Sequence, residues 1–175
     1  MSHSDSSALP TVPFATFLEK IVLGCGRCFA WSYVALMLII LLQVLLRYGF
    51  NHGMVVLEEL QWHLYAIGVM FGVSYAQVTN SHIRVDLLHS MLSERARHKW
   101  EIFGILFLLF PFIFVVFESS LSFVYDAWRI NETSASPTGL SHRWLIKSVI
   151  PLSFALLFFS GLARLIRTIA ALNRG

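Results

Sequence analysis

Charge is scarce in this sequence. Asp, Glu, Lys and Arg make up 13% of its 175 residues, against about 25% in an ordinary soluble domain. Only two cysteines occur, both in one short stretch, "CGRC", so no ligand cluster elsewhere in the chain can draw on a thiolate. Short alternating apolar and polar segments are missing, which argues against a membrane β-barrel. Internal repeats and low-complexity tracts are missing too, and no stretch is left over for a separate soluble domain.

What the sequence has instead is long apolar runs. Hydrophobic residues reach 57% and the mean hydropathy is +0.68, values that belong to integral membrane proteins. A bilayer core of about 30 Å needs roughly 20 mostly apolar helical residues. Residues 29–46, 57–78, 102–125 and 147–166 approach that length. The second is the weakest, because it must include the wetter "LEELQWH" to span. The expected fold is an all-α integral membrane bundle of four transmembrane helices, with residues 25–170 as the membrane domain and residues 1–24 and 171–175 as tails. Lys20 and Arg27 ahead of the first run give it the look of a secretory signal. The run is too long for that and no small-x-small cleavage site follows, so it is expected to stay as an anchor.

Basic residues set the orientation. With both termini inside, nine Lys and Arg face the cytoplasm and four face out. The expected protein is therefore multi-pass in the bacterial inner membrane with cytoplasmic termini, and its modest positive charge gives no reason to invoke nucleic acid. The segment "SHIRVDLLHSMLSERARHKW" falls on the cytoplasmic side. Leu87, Leu88, Met91 and Leu92 would share one face of a short amphipathic helix at the lipid headgroups. His82, Arg84, Asp86 and His89 invite a metal or acid/base reading. No cysteine or second carboxylate accompanies them and their spacing matches no ligand motif. His82, Arg84 and Asp86 are read as a cap on the second span, with Arg84 and Asp86 ordering the turn.

Other candidates weigh similarly. Cys25 and Cys28 have redox spacing, but they open a membrane helix on the reducing side, where cysteine is ordinarily a small apolar residue. His63 is the one histidine plausibly within a span, and a bis-histidine haem needs a facing ligand at the same depth. Neither a cofactor nor a metal is expected. Membrane carboxylates are functional until shown otherwise. Counted from Ile102 at about 1.5 Å per residue, Glu118 lies roughly 24 Å across, near the outer interface, where Arg47, Glu58 and Glu59 also gather. These four are read as an outer charge belt in which Arg47 pairs with one of the two adjacent glutamates. Gly68, Gly72 and Ala76 recur every fourth residue and form a smooth seam for another helix, inside this chain or on a partner. Pro111 removes the bond to the Phe107 carbonyl and should bend its helix; Pro151 lies near the start of the fourth span and costs less.

"RYGFN", then "LEELQWHLYAIGVMFGVSYAQ", then "SHIRVDLL" resembles the small (DctQ-like) membrane subunit of tripartite ATP-independent periplasmic (TRAP) transporters, and "KSVIPLSFALL" is similar to the start of that family's fourth span. Ser141 stands where many members carry a proline. The resemblance implies a non-enzymatic subunit without cofactor. Its partners would be membrane lipid, a large membrane subunit that it braces, and a periplasmic binding protein that delivers an organic acid for sodium-driven uptake. Two other readings stay open: a four-helix proton-coupled exporter, which needs a deep accessible carboxylate, and a membrane redox subunit, which needs cofactor ligands.

Overall fold

The computed structural model describes residues 10–79 and 93–174. Among them every regular element is helical. Helix α1 spans Pro13–Gly49, α2 Val55–Val78, α3 Glu94–Gly104, α4 Phe110–Arg129 and α5 Trp144–Arg174. A π-helical turn, Ile105–Leu109, joins α3 to α4 without a break. Residues 80–92, which carry His82, Arg84, Asp86, His89 and the amphipathic stretch, lie outside the described residues.

Local chemistry explains the boundaries. Pro13 sits in the first turn of α1, where its missing N–H costs nothing. Residues 13–24, expected to belong to a tail, are therefore helical. Ala15, Leu18 and Val22 recur along one side and are buried against the rest of the bundle, which stabilises a segment too polar to read as membrane-spanning. After α1 the chain turns through Asn51, whose φ of 53° is a left-handed conformation that asparagine tolerates well. Ser93 caps α3 by accepting the Ala96 N–H at 3.4 Å. The π turn precedes Pro111 directly, with the Phe110 N–H reaching back to the Ile105 carbonyl. A widened turn is one of the ways a helix accommodates a proline that cannot complete its regular ladder.

Among the described residues three helices are long and apolar enough to cross a membrane: Pro13–Gly49, Arg95–Arg129, which runs through the π turn, and Trp144–Asn173. Helix α2 has the length but not the apolarity, because Glu58, Glu59, Gln61 and His63 crowd its first turns. Contacts at both ends fix the helix directions. Gln43 near the end of α1 meets Glu58 near the start of α2, while Gly26 of α1 lies against Tyr75 near the end of α2. The N-terminal part of α1 also meets the C-terminal part of α5 through Glu19 and Arg167. The chain thus runs up, down, up and down. One end of the bundle, here the N-terminal end, gathers the starts of α1 and α3 with the end of α5. The other, the loop end, gathers the α1–α2 turn and the α4–α5 loop.

Helix α5 is the centre. It packs against α1, α2, α3 and α4, and 39% of its most apolar stretch is covered by the chain, against 11% for the other two candidate spans. Ser74 Oγ on α2 donates to the Ser153 carbonyl of α5 at 3.1 Å in the buried middle, a polar tie of the kind that holds helices together where apolar burial offers little advantage over lipid. Helices α1 and α2 form the most extensive pair, with Phe29 stacked on Phe71 at 3.7 Å between ring centroids. Outward surfaces elsewhere are greasy: Leu38, Leu45, Phe107, Leu108 and Phe114 are all more than 60% exposed.

Candidate functional site at the loop end

Glu59 organises the loop between α4 and α5. One carboxylate oxygen accepts the Ser134 hydroxyl and the other accepts the Leu140 backbone N–H at 2.6 Å. The loop itself is cross-tied by the Ser134 N–H to the Leu140 carbonyl and the Arg143 N–H to the Glu132 carbonyl, both at 3.0 Å. Left-handed residues mark its two ends, Asn131 at φ 46° and His142 at φ 61°. Gly139 is required by close approach: a Cβ there would collide with Ser134 and fall 2.7 Å from Glu59 Oε1. Glu132 then pairs with Lys147 and lies 3.8 Å from Arg143, while the Lys147 ammonium stands 3.8 Å over the Phe123 ring, a cation–π contact.

Beside this clamp lies an open pocket of about 290 Å³, walled by His63, Ile67, Leu140, His142, Leu145 and Val149. Its lining is largely aliphatic with two imidazoles and the Ser141 hydroxyl, which lies 2.9 Å from His142 Nδ1 at the exposed rim; no carboxylate among its lining residues orients that imidazole. No group of three or more metal-ligating side chains occurs among the described residues. Cys25 and Cys28 are free thiols on α1.

The other residues singled out in the sequence fall as follows. Arg47 lies 3.8 Å from Glu58, their side chains 63% and 50% exposed, and Glu58 also accepts from the buried Gln43 amide at 3.2 Å. Glu59 faces the loop instead. Glu118 is on the outward side of α4, away from both. The small-residue seam divides: a Cβ on Gly68 would fall 2.6 Å from the Tyr33 ring and 2.9 Å from Ser32 Oγ, whereas one on Gly72 would meet nothing within 4 Å. Gly68 thus seats α1 within this chain, and Gly72 faces open space. Ala76 is half-buried farther along.

Sequence reasoning missed the polar contacts of the N-terminal end. Arg167 reaches Glu19 at 2.6 Å and Thr16 at 3.1 Å, and Arg164 pairs with Glu101. It also missed Gly26, where a Cβ would stand 2.7 Å from the Tyr75 ring. The signal for the first was present as Ala15, Leu18 and Val22 at helical spacing beside Thr16 and Glu19.

A helical chain with three membrane-length apolar helices among its described residues and ion pairs at both ends has the make-up of a membrane protein. The sequence profile of the tripartite ATP-independent periplasmic transporters, DctQ component, matches residues 36–171. The chain belongs to that family of transporter components. No curated protein matches the chain.

Proposed function

We propose that this chain is the non-catalytic small membrane subunit of a TRAP-type secondary transporter, bracing a large permease subunit during sodium-driven uptake of an organic acid delivered by a periplasmic binding protein. The observation that carries the reading is the match over residues 36–171. The fold supports it: α5 is gripped by all the other helices, and the charged clusters at the two ends join parts of this chain to one another. That is the construction of a rigid support.

In this reading the chain crosses the inner membrane four times, through α1, α2, the continuous α3–α4 rod and α5. Helix α2 crosses with its polar start at the periplasmic surface, covered by the α4–α5 loop. The N-terminal end is cytoplasmic, the loop end periplasmic, and Arg47, Glu58 and Glu59 sit at the periplasmic interface. Residues 25–170 form the membrane domain, and His82, Arg84 and Asp86 cap its second span on the cytoplasmic side. The open Gly72 side of α2, with Ala76 farther along it, is a seam for the large subunit.

Two experiments test this. Reporters fused at Gly175 and near Ser93 should read cytoplasmic and one near Ser136 periplasmic; a periplasmic signal at Gly175 overturns the orientation. The tagged chain, extracted in mild detergent, should bring down a large multi-span membrane protein encoded beside it. Isolation of the chain by itself under several mild detergents argues against the brace.

A further inference from the structure

Glu118 is exposed on α4 and makes no hydrogen bond or ion pair with the described residues. Its depth follows from a ruler on the same continuous helix. Trp100 and Trp128 are both exposed, at 63% and 59%, and tryptophan marks the two membrane interfaces. At about 1.5 Å per residue they stand roughly 42 Å apart, which matches the roughly 40–45 Å of a bilayer with its headgroups. Glu118 then lies only about 6 Å from their midpoint, well inside the hydrocarbon and deeper than the count from Ile102 suggests. Arg47 and Lys147 belong to the loop end, and Lys147 is held by Glu132 and Phe123.

The side of α4 is equally definite. Ile113, Ser120 and Ala127 are buried, and α4 packs chiefly on α5. At about 100° per residue, Glu118 points some 140–180° away from those three. Ser122 and Tyr125, one and two turns on, share its side and are exposed. Hydrocarbon cannot solvate a carboxylate, and charged side chains within a membrane face protein or water and take a partner. A lipid headgroup does not reach this depth.

We infer that the Glu118, Ser122 and Tyr125 side of α4 is a seat for the large membrane subunit, which supplies a cation or strong hydrogen-bond donor to Glu118 at mid-membrane. The inference rests on the functional reading above, since it takes its occupant from the tripartite assembly. It adds a second, polar surface to the apolar seam at Gly72, and it removes Glu118 from the outer belt.

The test compares the lone chain with the complex. Glu118→Leu should leave the melting temperature of the lone chain in detergent unchanged or raised, because no partner within the chain is lost. The same substitution should cut co-purification of the large subunit by at least about tenfold, with Glu118→Gln intermediate. A photo-crosslinking residue at Ser122 should join the chain to the large subunit in whole cells. Full recovery of the large subunit with Glu118→Leu, or crosslinks at Ser122 to lipid alone, overturns the proposal. If Glu118→Leu destabilises the lone chain, the carboxylate serves this chain's own fold and the proposal also fails. A wild-type chain that brings down no large subunit defeats the functional reading, and this proposal with it.

Discussion

At the N-terminal end, Arg164 and Arg167 of α5 reach Glu101 of α3 and Glu19 of α1, so helix is joined to helix. At the loop end, Glu59 of α2 holds Ser134 and Leu140, and the pair between helices, Arg47 with Glu58, is long and open. The first arrangement fixes how the helices lie. The second chiefly shapes a surface, with Gln43 to Glu58 and Lys147 over Phe123 as its ties between helices. The proposed brace would need both, one end that resists deformation and another that presents a defined face.

The largest effect should come from breaking the N-terminal end. The Arg167 and Glu19 side chains are only 17% and 22% exposed, and removing one member of a covered pair typically costs about 3–5 kcal/mol. Arg167→Ala should therefore lower the detergent melting temperature strongly, and Glu19→Gln made with it should recover part of the loss. Next comes the loop. Glu59→Ala removes the two hydrogen bonds that hold Ser134 and Leu140, yet the loss should stay local. Hydrogen exchange at the Leu140 amide and its neighbours should accelerate while exchange in α5 holds.

Between the ends, α2 offers an internal control. Gly68→Leu drives a side chain into Tyr33 and should cost about 1–3 kcal/mol by overpacking. At Gly72 an added Cβ meets nothing within 4 Å, so Gly72→Leu should cost the lone subunit less than Gly68→Leu, its penalty emerging as lost co-purification. The smallest effect belongs to Arg47→Ala. An exposed pair contributes about 0–1 kcal/mol, so melting should barely move; a large drop would mean that the loop end is as tightly fixed as the other and would erase the contrast.

Much of this architecture is written in apolar run length, which marks out α1, α4 and α5, and the all-helical character follows from runs too continuous for a pleated strand. Helix ends were less legible. The start of α1 hides in a polar stretch because its stabilisation comes from α5, at Ala15 and Leu18 packed on Ala163. Pro111 announces an irregularity, but whether a helix answers a proline by bending or by widening a turn depends on its neighbours. At the loop end, the Glu-Glu pair stands out in sequence while the division of labour within it does not. Glu58 and Glu59 are adjacent, so they point about 100° apart on the helix, one toward α1 and the other toward a loop 75 residues along the chain. The seam shows the same limit: four-residue spacing places Gly68 and Gly72 on one side of α2, but only Tyr33 tells them apart.

The central claim is that this chain supports transport without performing it. Proteoliposomes holding the chain alone, under an inward sodium gradient with binding protein and labelled organic acid outside, should accumulate nothing. The same vesicles with the large subunit added should accumulate the acid, and Gly72→Leu should abolish that uptake. Accumulation by the lone chain under a sodium or proton gradient, lost on Glu118→Gln, would contradict the account and identify a carrier in its own right.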